Sequence, residues 1–481
     1  MIIPQSLNGK ITHQKRSRFF IPCAVMGGLF IFSRLYLLIF FEPLGSDATL
    51  YARYAYCYQF AAEKHLSFHD VYRTSGLAKA GKEAAQSPAS YALTVIAYPP
   101  LAVAFMNIPT FMARGGKSIT LIKYSDFSAR YQKAYRWLCA ILEMVCFIIT
   151  CFLIIKIYGN ERTANGTVRM GVIGFAGLLM PHILYDRLDI ILSVLIVLSL
   201  TMLLNRSMWL AFFLFAVSVN YKIIPLFLLP IWVLGSFGGD DFLNKDTRKT
   251  IIDLFKIGAL RCIIMCTMIF GIFAFFLFTE GKGVLDFLSN LFDPRVHIES
   301  SWGAFSLLVA RLFHTAIQII PGYGRYSVVT PATPVFSQLS FPVLVLALFA
   351  LPAILAIRLL RGLSKMIEGK TVFLGQQSII EASLCTLLMV FSFSKIFSPQ
   401  YLLILIPFVA LAPYSGKIHI VFSIVFAAVC LLSTIIFPYY YLTDIIKGPS
   451  WVGLVLIVSR MSFLLGLTGF SFVHMVSERN N

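Results

Sequence analysis

The chain has 481 residues, of which 58% are hydrophobic and only 13% charged, with a mean hydropathy of +0.81. Soluble domains run near half apolar and about a quarter charged, so this composition excludes an ordinary water-soluble enzyme and points to a polytopic membrane protein. The net charge of +18 has ordinary causes in basic cytoplasmic loops facing anionic headgroups, and no soluble basic domain exists to bind nucleic acid.

Residues 1–18 form a basic cytoplasmic tail. The apolar run 19–41 follows without a small-residue cleavage site, which predicts an uncleaved signal-anchor that crosses from inside to outside. Residues 42–133 then make a first extracytoplasmic loop. It opens with a single carboxylate, Asp47, and continues through His65, His69, Asp70, Tyr72 and Arg73, a pattern that suggests short interfacial helices. The run 92–113 is apolar enough to cross, yet Pro99, Pro100 and Pro109 make it a poor continuous helix. If it crosses, the basic stretch 114–136 lies inside; if it dips into the outer leaflet, that stretch lies outside against the charge rule. The dip is preferred. With 137–155 as the second span, Lys156, Arg162, Arg169, Arg206, Lys417 and the basic connectors 245–256 and 358–370 all fall inside, as do both termini.

Further spans are expected at 170–184, 190–204, 208–219, 224–236, 257–278, 341–360, 379–393, 402–413, 418–437 and 451–473. The expectation is therefore a single all-α domain over 1–481, a polytopic bundle of about twelve spans, since continuous apolar runs favour helices over a barrel. Residues 279–338 form a second large outer loop, in which the run 304–320 dips rather than crosses. The nine cysteines are scattered through apolar segments without metal-ligand spacing and read as small hydrophobes, including Cys262 and Cys266 on one helix face. The sequon at Asn165 falls on the cytoplasmic side, where glycosylation does not occur.

This topology gathers six polar clusters on the outer face. They are Asp47; Tyr98 with Pro99 and Pro100; Asp186, Arg187 and Asp189; Asn220, Tyr221 and Lys222; Arg295, His297, Glu299 and Ser300; and Ser394, Lys395, Ser398, Gln400 and Tyr401. An ionisable group at membrane depth costs about 2.5–3.5 kcal/mol on insertion scales, so such groups usually face a cavity. Singly, each cation could snorkel to headgroups. Jointly, four cations and a histidine opposite a few carboxylates look like a phosphate site with an acid–base group beside it.

These stretches resemble the GT-C glycosyltransferases, integral membrane enzymes that use polyprenyl-phosphate sugars. Within them the likeness is to the polyprenol-phosphate-mannose-dependent group that includes phosphatidylinositol mannoside mannosyltransferases, and more distantly to the catalytic subunit of GPI mannosyltransferase I. Ser46-Asp47-Ala48-Thr49-Leu50-Tyr51 leading to Tyr98-Pro99-Pro100-Leu101 looks like the family's first outer loop with its acid. Arg187-Leu188-Asp189 followed by Asn220-Tyr221-Lys222-Ile223-Ile224-Pro225 resembles its paired span ends, Asp293 to Trp302 its Arg/Glu-Ser loop, and Phe393 to Tyr401 its Lys and Ser-Pro-Gln-Tyr segment. Some relatives carry an Asp-x-Asp pair after the first span, whereas here Asp47 stands without a second acid, so no metal or other cofactor is expected.

The resemblance implies inverting sugar transfer, with mannose the commonest sugar, from a polyprenyl-phosphate donor to a lipid or glycan acceptor. Asp47 is then the general base. Lys222, Arg295 and Lys395, with Arg187, His297 and Gln400 in second place, stabilise the leaving phosphate. Tyr51, Tyr98, Asp189, Glu299 and Ser398 complete the substrate site. The expected location is the bacterial inner membrane, surrounded by membrane lipids, with the site on the extracytoplasmic side. A lipid-linked-sugar flippase is the alternative, although no pair of matching broken-helix halves is visible, and an inactive scaffold would leave the outer ionisable groups without purpose.

Overall fold

The structure is a computed structural model that describes residues 8–42, 47–74, 98–159, 163–237, 247–285, 287–288, 295–322, 325–366 and 374–477. Its long apolar runs form helices, because a segment in hydrocarbon must satisfy every backbone N–H and C=O internally. Six helical stretches are long and apolar enough to cross a membrane: Tyr124–Tyr158, Ile252–Glu280, Thr333–Arg358, Gln376–Phe393, Gly416–Ile446 and Trp451–Ser477.

In chain order, α1 (Asn8–Phe40) leads to α2 (Asp47–Glu63) and α3 (Phe68–Thr74). Two short helices follow, α4 (Pro100–Met106) and α5 (Thr110–Arg114). Residues 98–114 therefore hold no single crossing helix. Pro100 starts α4 at a position where its missing N–H costs nothing, and Pro109 stands where a continuing helix would need a donor. Residues 92–97 of the expected dip lie outside the described residues, as do Ser46, Asp293 and Pro294. Next come α6 (Tyr124–Tyr158), α7 (Thr163–Phe175), the four-residue α8 (Pro181–Leu184), α9 (Asp189–Leu204) and α10 (Met208–Tyr221).

Helix α9 is apolar all round, and 14 of its 16 residues are buried, which marks it as a central rather than a lipid-facing helix. It is antiparallel to α10. Tyr221 at the end of α10 donates to Leu188 O just before α9 (3.1 Å), and Ser199 Oγ donates to Ala211 O (2.7 Å). The 3₁₀ turn Ile224–Leu228 and α11 (Leu229–Gly235) return the chain, and Arg206 closes the end of α11 by donating to Gly235 O (3.2 Å) and Phe237 O (2.6 Å). Helix α12 (Thr247–Glu280) runs along the outside, with only 6% of its apolar window buried. The remaining helices are α13 (Ser301–Leu312), α14 (Thr333–Met366), α15 (Gln376–Phe393), α16 (Leu402–Leu411), α17 (Gly416–Thr434) continued by a π-helical turn (Ile435–Ile446), and α18 (Trp451–Ser477).

The bundle is all-α as expected, save for one small sheet in the segment between α12 and α14. β1 (Val296–His297), β2 (Gln318–Gly322) and β3 (Arg325–Val329) form an antiparallel sheet in the order β1-β3-β2, with His297 opposite Ser327 and Ile319 opposite Val328. The apolar run 304–320 is accordingly two elements. Helix α13 stops at Leu312, His314 takes a left-handed φ of 52°, and the β-branched pair Ile319-Ile320 enters a strand.

The bundle has a polar layer at each end. At the end opposite Asp47, fully buried Arg169 donates to Ala410 O (3.1 Å), Ala412 O (2.6 Å) and Tyr414 O (2.7 Å), satisfying the last carbonyls of α16. Glu381 on α15 meets His474 Nδ1 on α18 at 2.6 Å at that same end. Nearer the Asp47 end, Arg34 on α1 grips Glu143 on α6 through Nε (3.0 Å) and Nη2 (2.6 Å), and Tyr185 donates to the same carboxylate at 2.7 Å. A buried pair of this kind adds little net stability, but it fixes three elements in one register.

Candidate functional site

Asp47 opens α2, and its position is set by another acid. The Asp186 carboxylate accepts from the backbone N–H of Asp47 (Oδ2, 3.2 Å) and of Ala48 (Oδ1, 3.2 Å). Two donors at a helix N-terminus, which intrahelical bonds leave unpaired, are thereby satisfied by a negative charge where the helix dipole favours one. Asp186 is only 2% exposed, and burial pushes its carboxyl up to about 7 against the opposing pull of the Ala48 N–H and Arg136. Arg136 itself donates to Leu37 O (3.1 Å) and to Phe41 O, tying the end of α1 to the same corner.

The Asp47 side chain points the other way. Its Oδ2 forms an ion pair with Arg187 Nη1 and accepts from Tyr51 OH at 3.4 Å. Tyr51 OH in turn meets Tyr98 OH at 3.3 Å, with the rings edge to face and their centroids 5.6 Å apart. Both members of the ion pair have side chains 20% exposed, so water and ligands reach them. Burial pulls the Arg187 guanidinium below its usual value, and the carboxylates of Asp189 and then Glu299 act against that pull. Arg187 therefore stands among three carboxylates from three parts of the chain.

Next to this pair, Lys222 Nζ donates to Asp189 Oδ1 at 2.5 Å and lies 4.5 Å from the centre of the Tyr401 ring. Lys222 is 19% exposed, whereas Asp189 is 2% exposed. The lysine is thus the accessible partner and the aspartate its buried anchor. Tyr401 closes the 3₁₀ turn Pro399–Tyr401, and within that segment Ser398 Oγ donates to Gln400 Oε1 at 2.8 Å.

The segment around β1 and the start of α13 supplies the remaining wall. Glu299 is buried and held by Arg460 of α18, which donates to its Oε1 (3.1 Å) and to its backbone O (3.0 Å). Burial raises the Glu299 carboxyl, with Arg460 and then Arg187 opposing. Ser300 caps α13 by accepting from Gly303 N at 3.1 Å. His297 is 4% exposed, and burial, helped by Arg325 and Arg460, lowers it to about 3. It is a neutral ring at physiological pH and adds no positive charge for an anion. Arg295 directly precedes β1, and Lys395 O accepts from His297 N at 3.0 Å, so these two expected cations flank the sheet.

All six polar clusters read from the sequence belong to this end of the bundle, and Asp47, Arg187, Asp189, Lys222, Tyr51 and Tyr98 form one connected set. Sequence reading missed two participants. Asp186 stands in one of the six clusters but without a role in the expected site, although the crowded Asp-Arg-x-Asp at a span end is the available signal. Arg460 was passed over inside the apolar run 451–473, where a lone arginine is itself the signal of a buried partner. Among the described residues no three His, Cys, Asp or Glu side chains are placed to hold a metal ion. Chemically, the arrangement offers a water-accessible carboxylate as proton acceptor beside two cations that can hold an oxyanion. No protein-family model matches the chain, and no curated protein matches it either.

Proposed function

We propose that the protein is an inverting glycosyltransferase of the membrane, moving a hexosyl group, mannose in the first instance, from a polyprenyl-phosphate donor to an acceptor hydroxyl on the extracytoplasmic face. The observation that carries this reading is the placement of Asp47: an accessible carboxylate fixed by Asp186 at the head of α2, paired with Arg187 and next to Lys222. In the proposed reaction the donor phosphate competes for Arg187 and so releases the Asp47 carboxylate. Asp47 takes the proton of the acceptor hydroxyl, that oxygen bonds to the anomeric carbon from the face opposite the phosphate, and the carbon–oxygen bond to phosphate breaks. The electron pair leaves with polyprenyl phosphate, whose growing negative charge Lys222 and Arg187 stabilise, with Arg295 and Lys395 at the adjoining sheet as further cations. The same reading takes the bundle as about twelve passages, with the shorter helices completing their crossings through polar flanks, in a bacterial inner membrane.

The test is product formation by the purified chain in lipid nanodiscs, supplied with labelled polyprenyl-phosphate mannose and a membrane lipid extract as acceptor source. Transfer of label to a new lipid or polymer is expected. Asp47→Asn should lower the rate by about 10²–10⁴-fold, the usual range for a lost general base, while leaving donor binding in place. Movement of intact donor across the bilayer without bond formation would mark a transporter instead. Turnover unchanged in Asp47→Asn would remove the residue from this role.

A further inference from the structure

Glu63, the last residue of α2, gathers the segment that joins α5 to α6. Arg114 pairs with its Oε1 at 2.6 Å, the Ile119 N–H donates to the same oxygen at 3.1 Å, and Ser118 Oγ donates to Oε2 at 2.5 Å. Tyr56 OH holds the next turn by donating to Ile122 O at 3.2 Å, and α5 packs along α6. The segment is thus fastened from within, and its outward side chains are presented rather than frayed.

Those side chains are of two kinds. Phe111 is 86% exposed, Leu121 80% and Met112 67%, an apolar group that water disfavours and acyl chains accept. Lys117 and Lys123 lie on either side of Leu121 in the chain, and Arg130 and Lys133 follow on the first turns of α6. All four cations are exposed, and none is ion-paired to another described residue. Asp126 is the one acid between residues 107 and 137.

Helix α6 shows which environment covers this surface. Arg130, Lys133, Trp137, Ile141, Ile148 and Phe152 recur at spacings of three, four and seven, which places them on one face of the helix, and all six are exposed. Along that face the apolar residues give way to a tryptophan and then, within about 10 Å of helix rise, to two cations. That is the order of a bilayer: acyl chains, the interface where tryptophan is enriched, and headgroups. An acidic protein partner would impose no such register.

We propose that this surface docks on anionic phospholipid. Phe111, Met112 and Leu121 insert among the acyl chains, and Lys117, Lys123, Arg130 and Lys133 hold the headgroup phosphates of the same leaflet. The phosphate is that of a bilayer lipid, so the inference holds whether or not the chain transfers sugar, and on whichever face of the membrane the segment lies. Asp47 and Glu63 are the two ends of α2, so the docked surface anchors the far end of the helix that carries the candidate base.

The experiment uses the full chain in liposomes, with bimane attached at Leu121→Cys in a cysteine-free background. Its fluorescence is quenched by brominated phosphatidylglycerol or brominated phosphatidylcholine, each diluted into phosphatidylcholine. Both lipids should quench, and phosphatidylglycerol should reach half-quenching at about half the mole fraction or less. High salt should erase that advantage, because it screens exposed charges. The fourfold variant Lys117→Gln/Lys123→Gln/Arg130→Gln/Lys133→Gln should erase it as well, with quenching by phosphatidylcholine kept. The salt arm needs no further substitution, so the test stands even where the fourfold variant fails to fold. Absence of quenching by either lipid would put the apolar group in water or against protein and overturn the proposal. So would equal quenching by the two lipids at low salt, or an advantage that survives high salt or the fourfold substitution.

Discussion

Two carboxylates near the head of α2 do different work because their surroundings differ. Asp47 is accessible and paired with Arg187, whereas Asp186 is buried and spends both oxygens on backbone N–H groups. The raised carboxyl of Asp186 makes stability depend on pH in a definite direction. Its ordinary value is 3.8 and its folded value about 7, so the native chain holds this proton more tightly than the unfolded chain does. The stabilisation is fully present below about pH 4, is lost as pH rises to about 7, and changes little beyond. Melting temperatures of the wild type and Asp186→Asn between pH 4.5 and 8 should therefore converge or cross as pH rises, because the amide removes this one titration. A constant difference across the range would show that Asp186 does not titrate there. Lys222 calls for a paired experiment, since removing it leaves buried Asp189 without its partner. A charge-assisted bond is worth about 1.5–3 kcal/mol, so Lys222→Ala should weaken polyprenyl-phosphate binding about 10- to 100-fold. The double variant Lys222→Ala/Asp189→Asn should show the same loss by titration. Full affinity in the double variant would mean that the lysine only neutralises its aspartate.

Individual helices were largely legible in the sequence, because an apolar run of sufficient length has only one good way to satisfy its backbone in lipid. What could not be read was pairing between distant elements. Arg460 and Glu299 are 161 residues apart, and nothing in either local sequence names the other. Their contact nonetheless fixes the start of α13 against α18, with the Arg460 guanidinium 5.1 Å from the centre of the Phe397 ring. Arg460→Met should thus destabilise the protein by about 3–5 kcal/mol, the cost of leaving a buried carboxylate uncompensated. Arg460→Met with Glu299→Gln should recover most of that loss, read as the melting temperature in nanodiscs. Equal melting of the single and double variants would place the cost in lost packing rather than charge. The small sheet escaped sequence reading for another reason. The run 304–320 carries Arg311, His314 and Thr315 where α13 ends, a polar break that marks the boundary, but the strand signals in Ile319-Ile320 and Ser327-Val328-Val329 are too short to stand apart from one expected dip.

At the scale of the whole molecule, the convergence of the six clusters was legible from span parity and charge alone, while the partners within the site were not. The one awkward feature of that topology was the basic stretch 114–136 on the outer side. Structure shows what two of its cations do. Of its six cations, Arg114 pairs with Glu63 at 2.6 Å and donates to Gln59 Oε1 at 2.8 Å, and Arg136 binds the last carbonyls of α1. These two are committed to folding the interfacial corner, leaving four to weigh against the cations at the opposite end, where Arg206 and Arg169 close helix termini. Orientation is set by the balance of lysine and arginine in short loops near span ends, whether or not they are paired, so labelling decides the side on which this stretch lies. Two exposed positions separate the possibilities: Thr120, within the stretch, and Lys417, at the start of α17 on the other end. In a cysteine-free background, Thr120→Cys should react with a membrane-impermeant maleimide applied to intact spheroplasts, and Lys417→Cys only after permeabilisation. Reversed labelling would put Asp47 on the cytoplasmic side and require a donor presented there. Labelling of both from outside would break the parity of the bundle, and with it the assignment of 98–114 as a segment that dips.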